Sequence, residues 1–216
     1  MKDKKEIIKY KFILLGDSQV GKSSIFHKLS KNEFLEKNLS TQGLDHMVIK
    51  FNDLEIDING KKEKKNFNIT LFDTAGQERY RSVTTNFIKH ADGILLIYDI
   101  TSKITFDHID AWLDSIQENL SEWEKSDYLI MMLGNKLDLV KEDETERKVD
   151  IEEVKNKFED KGIILGGEIS AKEFSKSQLE DMFKEFTIKL FKKIGKNNVN
   201  NQQLEIRPKK KNKNCC

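Results

Sequence analysis

Apolar residues along the chain form short unbroken runs that are separated by amphipathic stretches. The runs are Tyr10–Leu15, Ile94–Tyr98, Leu129–Leu133 and Ile163–Leu165. A parallel strand that is covered on both faces is apolar throughout, because neither of its faces meets water. Strands of this kind that alternate with helices are typical of an α/β fold with a largely parallel sheet.

Two further segments, 47–51 and 67–71, place an apolar side chain at every second position. This spacing predicts strands that bury one face only. Asn59-Gly60 lies between them and is a strong signal for a hairpin turn, and lysines follow it. We therefore expect an antiparallel hairpin at the edge of the sheet, with a lysine-rich tip.

The amphipathic stretches repeat with a period near 3.6 residues, which indicates helices with one buried face. Asp150 and the Ser175-x-x-Gln178 sequence are the expected caps of the last two helices. The element order is then β-α-β-β-α-β-α-β-α-β-α. We predict a six-stranded, mostly parallel sheet with one antiparallel edge strand, flanked by about five helices. The two longest apolar stripes are Phe106, Ile109, Leu113, Ile116 and Leu120, and Leu179, Met182, Phe183, Phe186, Leu190 and Ile194.

Composition narrows the possible functions. The chain has 216 residues and a net charge of only +1, so its overall charge does not favour nucleic acid as a partner. The two cysteines are the last two residues, and nothing points to an oxidising compartment. No run approaches the roughly 18 apolar residues that a membrane span needs, and the N-terminus does not resemble a secretory signal.

The candidate chemistry begins directly after the first apolar run, in the loop Gly16–Ser24. Its sequence, Gly-Asp-Ser-Gln-Val-Gly-Lys-Ser-Ser, contains the spacing Gly-x-x-x-x-Gly-Lys-Ser. Glycines let backbone N–H groups approach a ligand, and a loop that opens into a helix N-terminus can cradle phosphate oxygens. Lys22 would reach the outer phosphates and the Ser23 hydroxyl would hold Mg²⁺. The loop backbone that would line the phosphates also includes Asp17, Ser18, Gln19, Val20 and Ser24.

Three more motifs follow predicted strands. Asp73-Thr74-Ala75-Gly76-Gln77 offers a carboxylate for Mg²⁺, a glycine N–H for a terminal phosphate and a glutamine that could position water. Asn135-Lys136-Leu137-Asp138 offers a carboxylate that could accept two hydrogen bonds from guanine, whose edge presents adjacent N–H donors. Ser170-Ala171-Lys172 offers a backbone N–H to an acceptor on the base. Ligands of open α/β sheets bind at the carboxyl ends of the strands, where all of these motifs are expected.

With these motifs in this order, the chain resembles a small GTPase of the Ras superfamily, and within it the Rab family. The resemblance covers about residues 8–194 and implies the P-loop NTPase, small-GTPase fold. The features closest to Rab proteins are the segment 40–46 (Ser-Thr-Gln-Gly-Leu-Asp-His), the segment 72–80 (Phe-Asp-Thr-Ala-Gly-Gln-Glu-Arg-Tyr) and the terminal pair Cys215 and Cys216.

The resemblance implies further roles. Thr41 would be the switch threonine that closes on Mg²⁺ and the γ-phosphate, so Ser23, Thr41 and Asp73 would hold the metal. Phe34 and Lys136 would cover the two faces of the guanine base, and Asn135 would tie the loops together. Gln77, Lys22 and Thr41 would be the catalytic residues.

The resemblance also implies a function. The chain would be a Mg²⁺-dependent switch that hydrolyses GTP to GDP in intracellular vesicle and protein transport. It would be a monomer that meets an exchange factor, a GTPase-activating protein, a GDP dissociation inhibitor and effectors. Residues 1–194 would form the GTPase domain and residues 195–216 a disordered tail. Geranylgeranyl groups on Cys215 and Cys216 would anchor the protein at the cytoplasmic face of a membrane, with a cytosolic pool.

Three features depart from the Rab pattern. Gln42 to His46 replace a sequence that is commonly Ile-Gly-Ile-Asp-Phe, and Phe72 stands where the family commonly has tryptophan. The stretch between the first switch and Asp73 is longer than usual. His46, Phe72 and Phe87 occupy the positions of the aromatic triad that Rab effectors commonly contact. We therefore expect altered partner choice and unaltered nucleotide chemistry.

Two other function classes remain open at this point. A P-loop ATPase or nucleotide kinase would share Gly16–Ser24, but the Asn-Lys-x-Asp motif at 135–138 argues against it. The second is an adaptor that binds nucleotide without turnover, and the intact set of Lys22, Ser23, Thr41, Asp73 and Gln77 argues against it. Comparing GTP with ATP binding addresses the first alternative, and a single-turnover phosphate-release assay addresses the second.

Overall fold

Six strands form one sheet in the computed structural model, which describes residues 6–34, 44–58, 60–74, 88–119 and 128–205. The order across the sheet is β2-β3-β1-β4-β5-β6. β2 runs antiparallel to β3, and the other neighbouring strands are parallel. The predicted fold class is therefore confirmed. The strands are β1 (Ile7–Leu15), β2 (Leu44–Ile58), β3 (Lys61–Thr74), β4 (Gly93–Asp99), β5 (Leu129–Asn135) and β6 (Ile164–Glu168).

Helices cover both faces of this sheet. Within the described residues they are α1 (Lys22–Lys31), α2 (Lys103–Asp107), α3 (Ile109–Asn119), α4 (Leu137–Glu142), α5 (Ile151–Phe158) and α6 (Lys176–Glu205). Short 3-10 turns follow at Glu144–Glu146 and Glu159–Lys161. The second helix predicted from the sequence falls between β3 and β4, where residues 75–87 lie outside the described part.

Alternate side chains of each central strand enter two separate cores. Phe12 and Leu14 of β1 point into a core that α1 and α6 cover, where Phe12 lies against the rings of Phe183 and Phe186. Ile13 and Leu15 point the other way, into a core that α2, α3 and α5 cover. Burial on both faces is the reason that these strands are apolar throughout.

The predicted hairpin is confirmed and is long. β2 pairs with β3 from Leu44 opposite Thr74 to Ile58 opposite Lys61, and Gly60 in the turn has a φ of 81°. A bulge interrupts the ladder between Phe51 and Leu54. Asp53 in the bulge has a φ of 52°, and its N–H donates to Asn66 Oδ1.

Both predicted caps are confirmed. The Asp150 carboxylate accepts from the N–H of Glu152 at the start of α5. Ser175 and Gln178 exchange side-chain-to-backbone hydrogen bonds at the start of α6, which is the reciprocal pattern of a capping box. These local signals therefore fix where two of the helices begin.

Three predictions about the helices need correction. The stripe from Phe106 to Ile116 belongs to two helices, because the chain turns at His108 between α2 and α3. The short helix α4 was not predicted, since six residues carry too little periodicity to be recognised. The last helix ends later than predicted, because α6 continues beyond Ile194 to Glu205. Residues 206–216 lie outside the described part, so the domain division and the lipid anchor stay predictions.

Candidate functional site

A cavity of about 360 Å³ opens at the carboxyl end of the sheet, between the loops that follow β1, β5 and β6. Sequence motifs far apart in the chain therefore meet in one place. The lining residues come from three predicted motifs, the segment after α1 and one position, Leu139, that follows the second of these motifs: Gln19, Gly21, Ser24, Phe34, Asn135, Lys136, Asp138, Leu139, Ala171 and Lys172.

The phosphate-loop glycines occupy positions that no other residue fits. Gly16 has a φ of 136°, and a Cβ there would lie 2.1 Å from the carbonyl oxygen of Ile97. Gly21 has a φ of 101°, and a Cβ there would lie 2.1 Å from Asn135 Nδ2. The two glycines therefore allow the loop to pack closely against β4 and β5, and this packing holds the loop at the end of the sheet.

Lys22 begins α1 and lies under the loop, with only 4% of the residue exposed. Its Nζ donates to the carbonyl oxygens of Gly16, at 2.9 Å, and Asp17, at 2.6 Å. Burial lowers the pKa of this ammonium group to about 8, while the nearby carboxylates of Asp73 and Asp17 act in the opposite direction. The charge is thus held in place by the loop itself and is available to an anion.

The first turn of α1 contains no acidic residue, and no side chain caps its N-terminus. The unpaired N–H groups of a helix N-terminus carry partial positive charge. The N–H groups of α1 and the ammonium group of Lys22 therefore suit this end of the cavity to an anionic group such as a phosphate.

Asp73 lies at the end of β3 and is 1% exposed. Its Oδ1 has no hydrogen-bond partner within the described part of the chain, and burial raises its pKa although the Ser23 hydroxyl and Lys22 lower it. A buried carboxylate oxygen without a donor, beside a hydroxyl, fits an oxygen-ligated cation such as Mg²⁺. Among the described residues there is no group of three His, Cys, Asp or Glu side chains that could hold a metal.

Asn135 joins the three loops that surround the cavity. Its Nδ2 donates to the Val20 carbonyl oxygen at 2.8 Å, and its Oδ1 accepts from the N–H of Ala171 at 3.0 Å. Because Asn135 is 2% exposed, these bonds are shielded from water. The side chain thus lies where the sequence analysis expects it, between the phosphate loop and the loop after β6.

The carboxylate of Asp138 is 6% exposed, and its Oδ1 accepts from the Ser170 hydroxyl at 2.7 Å. Ser170 in turn accepts from the N–H of Glu173. These bonds orient the carboxylate, whose second oxygen, Oδ2, would accept from a ligand. Two adjacent N–H donors on a planar ring would match a carboxylate held in this way.

Lys136, the N-cap residue of α4, takes the left-handed conformation, with a φ of 74°. Its Nζ lies 2.6 Å from Asp99 Oδ2, and Asp99 Oδ1 accepts from both the N–H and the hydroxyl of Thr101. The sequence analysis missed Asp99. The available signal was its position at the carboxyl end of a buried strand, where Asp73 and Asn135 also lie.

The remaining predicted residues fall into three groups. Phe34 and Lys172 line the cavity, and the Lys172 carbonyl oxygen is 3.4 Å from Lys28 Nζ. The rings of His46 and Phe72 face each other across β2 and β3 at 5.9 Å. The residues outside the described part are Thr41, Gly76, Gln77, Phe87, Cys215 and Cys216. None of the helices in the described ranges is long and apolar enough to cross a bilayer.

Comparison with known proteins agrees with this geometry. The model of the Ras family matches residues 11–192. The chain is 34% identical to Ras-related protein Rab-13 of Bos taurus over 212 residues, which cover 96% of this chain and 95% of that one. It is 36% identical to Ras-related protein Rab11D of Nicotiana tabacum over 88% of this chain and 77% of the relative. Ras-related protein Rab-11C of Dictyostelium discoideum is 41% identical over 60% of this chain, and the match spans about half, 52%, of that relative. From the paired loops of the cavity and from these relatives, we conclude that the chain belongs to the Ras family and is a Rab-family small GTPase.

Proposed function

We propose that this protein is a Mg²⁺-dependent switch that binds GTP, hydrolyses it to GDP and phosphate, and recruits effectors in vesicle and protein transport. The observation that carries the proposal is the position of Asn135. It links the phosphate loop to Ala171 beside the buried carboxylate of Asp138, so one cavity offers a phosphate cradle and a base acceptor. A guanine nucleotide has both of the matching groups.

Selectivity for guanine rests on Asp138 in this proposal. Guanine presents N–H donors at N1 and N2, whereas adenine does not present this pair. Ser170 holds one oxygen of the carboxylate, and the N–H of Ala171, which bonds to Asn135, lies in the backbone that would face the base. Phe34 and Lys136 would cover the two faces of the ring, with Lys136 held by Asp99.

Hydrolysis asks the protein mainly to position groups and to stabilise charge. Lys22 and the N–H groups of the loop and α1 would neutralise the phosphates, Gly76 would approach the γ-phosphate, and Gln77 would orient the attacking water. Ser23, Asp73 and Thr41 would hold Mg²⁺, which when bound supplies positive charge to the β- and γ-phosphate oxygens. Since the described residues include no arginine finger at the cavity, we expect slow intrinsic turnover, on the order of 10⁻⁴ s⁻¹, which a GTPase-activating protein would accelerate.

Switching and localisation follow from the same proposal. Loss of the γ-phosphate would release Thr41 and Gly76 and so change the surface that effectors contact. Geranylgeranyl groups on Cys215 and Cys216, with the lysines at 209–211 and 213, would anchor the GTP form to the cytoplasmic face of a membrane. An exchange factor would reload the protein, and a GDP dissociation inhibitor would extract the GDP form.

Nucleotide binding tests the core of the proposal. Equilibrium titrations should show tight binding of GTP and GDP and weak binding of ATP. Asp138→Asn should weaken GTP about 100-fold and improve xanthosine triphosphate, because the lost acceptor becomes a donor that suits the xanthine oxygen. Asp181→Asn, an exposed change on α6, is the matched control and should leave both nucleotides unaffected. Equal GTP affinity in the Asp138 and Asp181 variants would remove Asp138 from the base site.

Turnover and anchoring need separate experiments. Gln77→Leu should retain GTP but lose hydrolysis in a single-turnover assay, with or without an activating protein. Wild-type phosphate release in this variant would contradict the water-positioning role. Cys215→Ser/Cys216→Ser should move the protein from the membrane to the cytosolic fraction while GTP binding stays unchanged. A double variant that remains membrane-bound would place the anchor elsewhere.

A further inference from the structure

The side chain of Asp17, in the phosphate loop, contacts α3 and the turn that precedes it. His108 Nδ1 lies 2.6 Å from Asp17 Oδ2, and Trp112 Nε1 donates to Asp17 Oδ1 at 2.9 Å. Because a carboxylate only accepts hydrogen bonds, His108 Nδ1 must be the donor in the first contact. Both oxygens of Asp17 are therefore held by side chains outside the nucleotide motifs.

The two donors form a single unit. Trp112 lies four positions after His108, and the backbone N–H of Trp112 donates to the His108 carbonyl oxygen at 3.1 Å. The chain turns at His108 between α2 and α3, which brings the ring to Asp17. The Asp17 side chain is 22% exposed and Trp112 is half-buried, so the indole contact is better shielded from water than the contact of the exposed His108.

The backbone of Asp17 extends this link to Lys22. The Asp17 carbonyl oxygen accepts from Lys22 Nζ at 2.6 Å, and the neighbouring Gly16 carbonyl oxygen accepts from the same atom. Fixing the Asp17 side chain therefore limits the movement of the carbonyl groups that hold the buried ammonium group. A loop that is already ordered loses less conformational freedom when a ligand binds.

The contacts of Asp17 with His108 and Trp112 also affect the electrostatics of the phosphate loop. A carboxylate in a phosphate loop would repel the phosphates of a bound nucleotide if it turned towards them. Donors on α3 and in the turn before it, Trp112 and His108, hold the charge on their side of the loop, and hydrogen bonds to a charged group are among the stronger ones. Releasing Asp17 would allow its charge to approach the anion.

We propose that His108 and Trp112 are positioning residues that clamp Asp17 and thereby keep the phosphate loop in the arrangement that retains bound nucleotide. This inference rests on the proposed guanine-nucleotide function and adds to it one residue in the turn before α3 and one on α3, both outside the nucleotide motifs. Movement of the loop on nucleotide exchange is transmitted to α3 through the same two hydrogen bonds.

The test is a double-mutant cycle on the release of a fluorescent GDP analogue from the full chain. Trp112→Phe removes the N–H but keeps an aromatic ring, and release should become about tenfold faster. His108→Leu should give about a threefold increase because this contact is exposed. His108→Asn should restore most of the retention, since its amide nitrogen can donate from nearly the same place.

Asp17→Ala provides the decisive background, because it removes both acceptor oxygens but keeps the loop backbone. If the clamp acts through Asp17, Trp112→Phe should change release by less than about twofold in this background. The same tenfold change in both backgrounds would mean that Trp112 acts by packing alone, and this result would overturn the proposal. Unchanged release in all of the single variants would also overturn it.

A spectroscopic measurement checks the contact itself. In a Trp123→Phe chain, Trp112 is the only tryptophan, so one indole N–H resonance remains. Asp17→Ala should shift this resonance, and exchange of GDP for a non-hydrolysable GTP analogue should move it in the chain that keeps Asp17. If Asp17→Ala leaves the chemical shift of this resonance unchanged, the clamp is overturned. A wild-type chain that binds no guanine nucleotide would overturn the proposed function, whereas binding without coupling would overturn the clamp alone.

Discussion

The two ends of the nucleotide cavity are built differently. At the base end, Asn135, Asp138, Ser170 and Ala171 bond to one another or across to the phosphate loop. At the phosphate end, Lys22 donates its hydrogen bonds to carbonyl oxygens of its own loop, and Asp73 Oδ1 has no donor among the described residues.

Because of this difference, we expect recognition of the base and compensation of the phosphate charge to depend on separate groups of residues. The base end is preorganised by the hydrogen bonds of Asn135 and Asp138 and by the ion pair of Lys136 with Asp99, so its polar and charged groups already have partners. The phosphate end keeps a buried ammonium group and a buried carboxylate, each of which is unfavourable in a dry site without a partner. We therefore expect changes at the base end to alter selectivity, and changes at the phosphate end to depend on nucleotide charge and Mg²⁺.

The largest effect should come from Gly21→Ala, because it disrupts both ends together. The new Cβ would meet Asn135 Nδ2, and the φ of 101° is strained for alanine. Displacing Asn135 breaks its bonds to Val20 and Ala171, so GDP affinity should fall about 100-fold or more. Gly162→Ala is a matched control, since its φ is also positive, at 68°, but nothing lies within 4 Å of the new Cβ. Equal GDP affinity in the two variants, measured by titration, would contradict the packing argument.

A smaller and more selective effect is expected for Ser23→Asn at the phosphate end. The larger amide is a poorer Mg²⁺ ligand than the hydroxyl, and Mg²⁺ matters more to a triphosphate than to a diphosphate. GTP affinity should fall about 30-fold and GDP affinity by less than about threefold. Ser30→Asn, near the other end of α1, should change neither. Titrations that show equal weakening of both nucleotides would remove Ser23 from the metal site.

At the base end, Ser170→Ala should weaken GTP and GDP equally, by about tenfold. The change removes the donor that orients Asp138 and leaves the N–H of Glu173 without its acceptor. Ser175→Ala is the matched control: it removes the cap of α6 and should lower the free energy of unfolding by about 1 kcal/mol without affecting nucleotide affinity. A preference for GDP over GTP in the Ser170 variant would contradict the division between the two ends.

The smallest effect concerns the proton on Lys22. Its pKa of about 8 means that the ammonium charge is lost as pH rises through that value, whereas bound phosphates favour the charged form. GDP binding should therefore take up protons at pH 8, and GDP affinity should fall about threefold between pH 7.5 and 8.5. Isothermal titration in buffers of different ionisation enthalpy measures the uptake. A binding enthalpy that does not depend on the buffer would mean that Lys22 is already charged in the free protein.

The sequence by itself determined the sheet, the main helices and the residues of the nucleotide motifs. Its signals were local and strong: apolar runs for strands covered on both faces, the Asn59-Gly60 turn, and the capping residues Asp150 and Ser175. The motifs could be assembled into one site because each follows a strand, and the carboxyl ends of parallel strands meet at one edge.

Only the tertiary structure decided how the motifs are held. The lysine at 136 pairs with Asp99, the carboxylate of Asp138 with Ser170, and Asp17 with His108 and Trp112. The residues of each pair are more than 30 positions apart in the sequence and lie on different elements, so no hydrophobic periodicity connects them. The turn at His108 and the continuation of α6 beyond Ile194 were missed for a related reason. A hydrophobic stripe reports which face of a helix is buried, but it does not report where backbone geometry and side-chain contacts end or interrupt that helix.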